Sequence, residues 1–407
     1  MRMFYYRLMT AGFFALSGLV SAQTGIQFPQ GEFPLTDFDK SSVALEDIQS
    51  GGPPKDGIPA IDSPVFVAHE SASRWLDDSQ PVVALIHSEK ARAYPLQILI
   101  FHEIVNDVVG GKPVAVTFCP LCNASIVFDR EVAGQLLDFG TTGRLRNSDM
   151  IMYDRQTESW WQQFTGRGII GEYVDTQLNQ LPSQIVAYGE FKASFPGGEV
   201  LSRDTGFSRQ YGQNPYRGYD SIDSSPFLYS GDIDPRLPPM ERVLSLVLAS
   251  DEVVGDSEFD SETIDEPAND TAVVTGGKTV GETVTTLIPI TPLDNQPVLN
   301  LQFGGQSVVV LAATVANSAL DASDISKSRK IPVAAAFSAI VGNKQLTFVV
   351  KEKGVFDQQT GSEWNAFGHA IAGTLKGQSL RQIDRGVHFA FAWLAFDPGA
   401  TVYQFEE

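Results

Sequence analysis

Cysteine is scarce in this sequence. Its 407 residues include two cysteines, Cys119 and Cys122, which stand three positions apart at the end of an apolar run. One Cys-x-x-Cys pair is half of a four-cysteine zinc site, so a metal here would need His, Asp or Glu ligands from distant parts of the chain. A disulfide across so short a loop would stabilise the fold little through chain entropy, which argues against a purely structural role.

Basic residues are also few. The sequence has 29 Lys and Arg against 49 Asp and Glu, a formal net charge of −20. Nucleic acids and anionic membrane surfaces are bound by basic patches, and this composition argues against both. We therefore predict no nucleic-acid partner.

Long apolar runs are missing outside the N-terminus. There, Arg2 and Arg7 precede an apolar stretch, Ala11–Val20, that is too short to span a bilayer and is followed by small residues. This pattern predicts a signal peptide (1–22) that is cleaved after Ala22. We expect a periplasmic or secreted protein in an oxidising compartment, with no stable membrane insertion after cleavage.

Two parts of the sequence resemble each other. The segment that begins at Pro95 aligns without a gap with the segment that begins at Pro289, and the two share a Gly-Gly pair and two asparagines. Farther along, DRQTESWW (Asp154–Trp161) matches DQQTGSEW (Asp357–Trp364) at Asp, Gln, Thr, Ser and Trp. Because these matches occur in the same order, the sequence predicts an internal duplication.

The predicted fold is α+β and dominated by strands, with two tandem copies of a β-rich unit packed together. Alternating apolar runs predict strands, Gly110-Gly111 predicts a hairpin turn, and short helices are predicted at Pro95–His102 and Tyr188–Phe195. The predicted divisions are the signal peptide (1–22), an N-terminal arm (23–62), a first copy with the Cys-x-x-Cys pair (63–205), a Gly/Pro/Tyr-rich strap (206–240) and a second copy (241–407) with an acidic insertion (251–283).

The second copy lacks the reactive residues of the first. In the alignment, Cys119 corresponds to Ala313, Cys122 to Ala316, His102 to Gln296 and Glu103 to Pro297. The two cysteines are therefore absent together, which indicates that they act as a unit. They are also unnecessary for the fold of a copy.

Three interpretations of the cysteine pair remain open. The first is a dithiol/disulfide couple, in which a thiol of lowered pKa attacks an acceptor. The second is a soft-metal site, for copper or zinc, with Cys119, Cys122 and His102 as ligands. The third is a structural disulfide or a pair of buried thiols. The residues after Cys122 read as a strand and not as the long helix of the thioredoxin type.

His102 and Glu103 have two interpretations as well. A lone His-Glu pair in an apolar setting is often hydrogen-bonded structure. Its absence from the second copy, together with the cysteines, favours a role as proton shuttle or metal ligand near Cys119. His369 and His388 lie in the second copy, and for them a core or surface position is the better prediction.

Several long strings carry a family resemblance. Among them are SGGPPKDGIPAIDSPVFV (Ser50–Val67), RNSDMIMYDRQTESWWQQFTG (Arg146–Gly166) and the terminal HFAFAWLAFDPG. They resemble a bacterial family known as domain of unknown function 3179. Some relatives are labelled as selenoproteins, with selenocysteine in place of a cysteine of the motif that matches Cys119 and Cys122. The resemblance thereby implies redox chemistry at this pair.

The favoured function is an exported thiol/disulfide redox protein. Cys119 would be the attacking thiol and Cys122 the resolving thiol, with His102 and Glu103 assisting proton transfer. The partner would be a small oxidant or a protein disulfide, and no cofactor is required. The alternatives are a protein that binds or delivers copper or zinc, and a non-catalytic binding module in which the tyrosine-rich strap lines a cleft between the copies.

Overall fold

Strands dominate the protein. A computed structural model describes residues 31–248, the backbone of 272–274, and residues 284–352 and 354–405. It contains 43% strand and 9% helix in several sheets, which confirms the predicted strand-dominated fold. The predicted signal peptide lies outside the described residues, and so does the acidic insertion apart from 272–274.

The first half of the chain contains sixteen strands and three short α-helices among its described residues. The strands are β1 (Ile48–Ser50), β2 (Phe66–Ala68), β3 (Pro81–His87), β4 (Lys90–Pro95), β5 (Ile104–Val109), β6 (Lys112–Cys119), β7 (Ala124–Asp129), β8 (Glu131–Val132), β9 (Gln135–Leu136), β10 (Phe139–Arg146), β11 (Asp149–Asp154), β12 (Trp160–Gln162), β13 (Arg167–Ile170), β14 (Gln180–Leu181), β15 (Gln184–Ala187) and β16 (Glu199–Leu201). The helices are α1 (His69–Ala72), α2 (Leu96–Leu99) and α3 (Tyr188–Ser194), with a 3-10 turn at Leu45–Asp47.

The described residues of the second half contain fourteen strands and one α-helix. The strands are β17 (Arg242–Leu248), β18 (Ala272–Val274), β19 (Val284–Pro289), β20 (Val298–Phe303), β21 (Gln306–Asn317), β22 (Lys330–Ser338), β23 (Ile340–Val341), β24 (Lys344–Gln345), β25 (Phe348–Lys351), β26 (Gly354–Asp357), β27 (Glu363–Trp364), β28 (Ala370–Ala372), β29 (Asp384–Phe389) and β30 (Thr401–Val402). The helix is α4 (Ala390–Phe396), and 3-10 turns occupy Thr291–Asp294 and Ile325–Lys327.

The two halves share part of their strand order, although β1, β2 and β14 of the first half and β18 of the second have no strand counterpart among the described residues. In the first half the sheets run β15-β3-β4-β16-β2, β14-β7-β6-β5 and β1-β10-β11-β12-β13, with a β8-β9 hairpin. In the second half they run β29-β17-β19-β30, β18-β20-β21-β22 and β25-β26-β27-β28, with a β23-β24 hairpin. Even the parallel pair β4–β16 has its counterpart in the parallel pair β19–β30.

The predicted turns and helices are present. Val109 pairs with Lys112, so Gly110-Gly111 forms the two-residue turn between β5 and β6. Both glycines have positive φ, as this kind of turn requires. Helices α2 and α3 lie within the two predicted helical segments and are shorter than them.

An aspartate anchors a tight turn in each half. Asp154 accepts hydrogen bonds from the Thr157 hydroxyl at 2.9 Å and from the Trp161 indole N–H at 2.9 Å. Asp357 accepts the equivalent bonds from Thr360 at 2.9 Å and Trp364 at 3.0 Å. The matched Asp, Thr and Trp of the sequence alignment thus make the same contacts.

Replacing either threonine of these turns by valine is expected to lower the free energy of unfolding. Thr157→Val removes a hydrogen bond to the Asp154 carboxylate, and Thr360→Val does the same at Asp357, so each change should cost about 1.5–3 kcal/mol. Urea denaturation measures both values. A cost near zero for one variant would show that its carboxylate is not held by the hydroxyl.

The second half contributes to the core of the first. The hydrophobic core that contains Cys119 and Cys122 also contains Phe389, Phe391 and Ala392 from β29 and α4. The strap (206–240) contains no helix or strand and connects β16 to β17. Tyr211, Tyr216 and Tyr219 of the strap pack against the same core.

Candidate functional site

The two cysteines bracket a hairpin turn. Cys119 ends β6 and pairs with Ala124, the first residue of β7. Asn123 has a φ of 49° and its N–H bonds to the Pro120 carbonyl at 3.2 Å, which closes the turn. A strand follows Cys122, as the sequence predicts, so this site differs from the strand-then-helix arrangement of thioredoxin-type motifs.

The second half has no such turn. There, β21 continues through Ala313 and Ala316 to Asn317, with a shift of pairing register between Leu311 and Thr314. The tight turn and the two thiols therefore occur together in the first half and are both missing from the second.

Both cysteines are free thiols and both are buried. Cys119 is 1% exposed and Cys122 is 0% exposed. The pKa of Cys119 is raised, mainly by burial and further by the charges of Asp149 and Glu103. Hydrogen bonds with the thiol and the backbone N–H of Cys122 partly oppose this rise. Burial also raises the pKa of Cys122, well above its ordinary value. The resting pair is therefore protonated at neutral pH, with Cys119 the better placed of the two to lose its proton.

Asp149 lies against both sulfurs. Among the described residues, Cys119, Cys122 and Asp149 form the one group of three His, Cys, Asp or Glu side chains whose ligand atoms all lie within 4.8 Å of one another. Asp149 is fully buried at the start of β11. Its Oδ2 accepts hydrogen bonds from Gln162 Nε2 at 2.7 Å and from the Phe164 N–H at 2.8 Å. Its buried Oδ1 accepts no hydrogen bond of regular geometry.

Burial raises the pKa of Asp149 to about 7, although hydrogen bonds from Gln162 and Phe164 oppose the shift. Sequence reasoning did not identify this residue. The available signal is an acid that opens the otherwise apolar segment DMIMY, inside a string that carries the family resemblance.

Glu103, which the sequence predicts as a site residue, is close to the same group. Its carbonyl accepts a hydrogen bond from the Phe118 N–H at 2.8 Å, next to Cys119, and its φ of 59° is unusual for a residue other than glycine. Burial raises the pKa of Glu103 to about 8, with a further contribution from the charge of Asp149. The site therefore brings two thiols and two carboxyl groups together in a buried region.

His102, the other predicted site residue, is directed elsewhere. Its Nδ1 donates to the Pro59 carbonyl at 2.8 Å, so in the neutral ring Nε2 is the acceptor for the Tyr211 hydroxyl at 2.7 Å. Burial lowers the pKa of His102, which favours this neutral form. His102 is not in the group formed by Cys119, Cys122 and Asp149.

The strap covers the cysteine turn. The Tyr219 hydroxyl donates to the Leu121 carbonyl at 3.0 Å and accepts from the Phe227 N–H at 3.2 Å. The Phe227 carbonyl in turn accepts from the Ser148 hydroxyl at 2.5 Å, one residue before Asp149. Both sulfurs are buried, so a molecule larger than water can reach them only if the structure around the turn opens.

The second half also contacts the turn. The Phe389 N–H donates to the Cys122 carbonyl at 2.9 Å. His388, the residue before Phe389, is fully buried, in agreement with the predicted core or surface position. Its ring centroid lies 4.9 Å from that of Phe164. Since the Phe164 N–H holds Asp149, both halves shape the site.

A cavity of about 430 Å³ adjoins His102. Pro59, which binds His102 Nδ1, is part of its wall, and the Phe207 ring lies 5.4 Å from the His102 ring. The charged residues of its wall are Lys55, Asp56, Asp62, Arg155 and Glu158. Lys55 pairs with Glu158 and Arg155 with Asp62, so these four charges already have partners.

Fold and site together define a strand-rich protein with a buried dithiol–carboxylate group. Residues 55–400 match the family described as protein of unknown function (DUF3179), and the chain belongs to that family. No curated protein and no solved structure matches it. Within the described residues, no helix has the length and apolar character needed to cross a membrane.

Proposed function

We propose that the protein is a thiol/disulfide redox protein that uses Cys119 and Cys122. The observation that carries the proposal is the placement of two adjacent free thiols against the Asp149 carboxyl group. A Cys-x-x-Cys pair closes readily to a disulfide, and a buried carboxylate beside it can accept the proton that the attacking thiol must lose.

The proposed reaction reduces a disulfide R–S–S–R. Cys119 passes its proton to Asp149 and attacks one sulfur of the acceptor, which releases the first R–S⁻ and forms a mixed disulfide. Cys122 then loses its proton and attacks the Cys119 sulfur, which releases the second R–S⁻. The two thiol protons end on the two released thiolates, and two electrons pass from the protein to the acceptor.

The supporting residues have separate roles in this proposal. Glu103 supplies a second buried carboxyl group for proton transfer. His102 positions the strap through Tyr211, since its ring nitrogens are occupied by Pro59 and that hydroxyl. The proposed setting is the periplasm or the extracellular space, where the acceptor is a small oxidant or a protein disulfide.

Single cysteine variants test the proposal. The matched substitutions are Cys119→Ala and Cys122→Ala, because the second half carries alanine at both aligned positions. With a low-molecular-weight disulfide, Cys122→Ala is expected to accumulate a mixed disulfide at Cys119, and Cys119→Ala to accumulate none. Mass spectrometry of the intact protein reads out both.

The wild-type protein provides the second measurement. Thiol titration in denaturant should find two thiols after reduction and none after oxidation in the folded state, and reduction should restore both. Two thiols that resist oxidation while the protein is folded would refute the redox function and leave a structural pair.

We also infer that the chain arose by duplication of one α+β unit. The proposal is supported by the partly shared strand order of the two halves and by the matched turns at Asp154 and Asp357. Asn106 and Asn300 add a third parallel, because each bonds in both directions to the backbone of a phenylalanine, Phe139 and Phe348. An experimental structure in which 81–201 and 243–402 fail to superpose would refute it.

A further inference from the structure

We propose that Cys119, Cys122 and Asp149 together bind a Zn²⁺ ion when the two thiols are reduced. This inference goes beyond the redox function, because it assigns a ligand to the dithiol form and makes Asp149 a metal ligand as well as the proton acceptor. It also differs from the metal site that the sequence suggests, in which His102 was the third ligand.

The spacing of the three ligand atoms fits a zinc ion. Zn–S bonds of about 2.3 Å and Zn–O bonds of about 2.0–2.2 Å place neighbouring ligands of a tetrahedral ion roughly 3.5 Å apart. The two sulfurs and an Asp149 oxygen all lie within 4.8 Å of one another, which is close to that spacing. Cys sulfur and carboxylate oxygen are both among the donors that zinc binds.

Asp149 is prepared to act as a ligand. One carboxylate oxygen, Oδ2, is held by the Gln162 side chain and the Phe164 N–H, while the other, Oδ1, is buried without a regular hydrogen-bond partner. Outer contacts that fix a carboxylate and leave one oxygen free are the arrangement found around metal ligands.

The donor groups of the region suit a cation. Two thiols and the carboxyl groups of Asp149 and Glu103 are buried together. A divalent cation would bind the thiolate form directly and displace the thiol protons. A disulfide offers no thiolate, so oxidation should release the ion.

The donor set favours zinc over copper. Two thiolates alone suit Cu⁺, but a carboxylate oxygen is a hard ligand that Cu⁺ does not prefer. Zn²⁺ accepts sulfur and carboxylate oxygen in the same site. Binding that depends on Asp149 therefore distinguishes a zinc site from a copper site built on the cysteines only.

The experiment measures binding of Zn²⁺ alone to the purified full chain, reduced and oxidised, by elemental analysis after desalting and by competition with a chromophoric chelator. The reduced protein should hold one Zn²⁺ per chain, and the oxidised protein none. Asp149→Asn keeps the shape of the side chain and should weaken Zn²⁺ affinity by about 100-fold or more, beyond the 10–100-fold typical of a lost outer contact. Co²⁺ in place of Zn²⁺ should give a thiolate-to-metal charge-transfer band.

His102→Gln is the matched control, because glutamine occupies the aligned position 296. It should lower the Zn²⁺ affinity far less than Asp149→Asn does, and thermal unfolding of each variant verifies that it is folded. The inference fails if the reduced wild type binds no Zn²⁺, or if the Zn²⁺ affinity falls in His102→Gln and not in Asp149→Asn. It also fails if Cu⁺ binds equally strongly to wild type and Asp149→Asn while Zn²⁺ does not bind. Reversible oxidation without Zn²⁺ binding would refute the zinc site and leave the redox function standing. Zn²⁺ binding by a pair that cannot be oxidised would refute the redox function and leave the zinc site standing.

Discussion

Asp220→Ala is expected to lower the free energy of unfolding by about 3–5 kcal/mol. Asp220 is a strap residue whose side chain is 0% exposed, and its Oδ2 accepts hydrogen bonds from Arg242 and Arg329, each at 2.8 Å, and from the Ser318 hydroxyl. Burial would raise the pKa of Asp220, but Arg242, Ser318 and Arg329 outweigh it and the pKa is lowered, so the residue is a carboxylate. Removing it leaves the buried Arg242 guanidinium without its charge partner.

The same change should expose the cysteines. Asp220 follows Tyr219, whose hydroxyl holds the strap to the Leu121 carbonyl over the cysteine turn. With the anchor lost, local opening of the strap becomes easier, and a bulky thiol reagent should modify the reduced native protein about 100-fold faster.

Equilibrium urea denaturation and stopped-flow thiol modification measure the two effects of Asp220→Ala. Asp223→Ala is the control, since Asp223 is an exposed residue of the same strap, and it should change neither quantity. A variant that loses stability but modifies at the wild-type rate would show that the strap does not control access to Cys119 and Cys122.

Local patterns made part of the fold predictable. The Gly110-Gly111 turn depends on backbone conformations that glycine adopts readily, so two neighbouring residues predict a hairpin. The short strand β1 pairs with β10, and β16 runs parallel to β4, across long sequence separations. Nothing in the local sequence specifies those partners, because they are chosen by how the sheets pack.

The sequence predicts which residues of the site are reactive, but not how they are arranged in space. The spacing of Cys119 and Cys122 identifies them directly, and comparison of the two halves adds His102 and Glu103. That comparison detects which residues differ between the halves, but it cannot give the direction of a side chain, and the His102 ring points to Pro59 and Tyr211. Asp149 comes from a different sheet, so its contact with the thiols depends on tertiary packing.

His388 should make the protein less stable in acid. Burial lowers the pKa of His388 to about 4, against an ordinary value of about 6.5 in the unfolded chain. The folded state therefore binds a proton less readily than the unfolded state, and its stability falls as the pH drops below 6.5. The loss contributed by this residue should reach about 2 kcal/mol at pH 5 and about 3 kcal/mol near pH 4.

Other buried groups titrate in the same range with the opposite sign, so the effect must be measured as a difference. Burial raises the pKa of Asp384, on the same strand β29, to about 6, and protonation of that carboxyl group stabilises the folded state as the pH falls. His388→Gln keeps Asp384 and retains a donor for the Arg385 carbonyl, which His388 Nε2 contacts at 3.0 Å. The contribution of Asp384 is then common to wild type and variant and cancels in the difference.

The measurement is urea denaturation of wild type and His388→Gln between pH 8 and pH 4. The difference in unfolding free energy should shift by about 3 kcal/mol in favour of the variant as the pH falls. Trp393→Phe is the packing control, because the Trp393 ring lies 5.2 Å from that of His388, and its cost should not change with pH. If the difference in unfolding free energy between wild type and His388→Gln does not change with pH, His388 is protonated equally in the folded and unfolded chains. In that case His388 does not make the contact between β29 and the cysteine turn sensitive to acid.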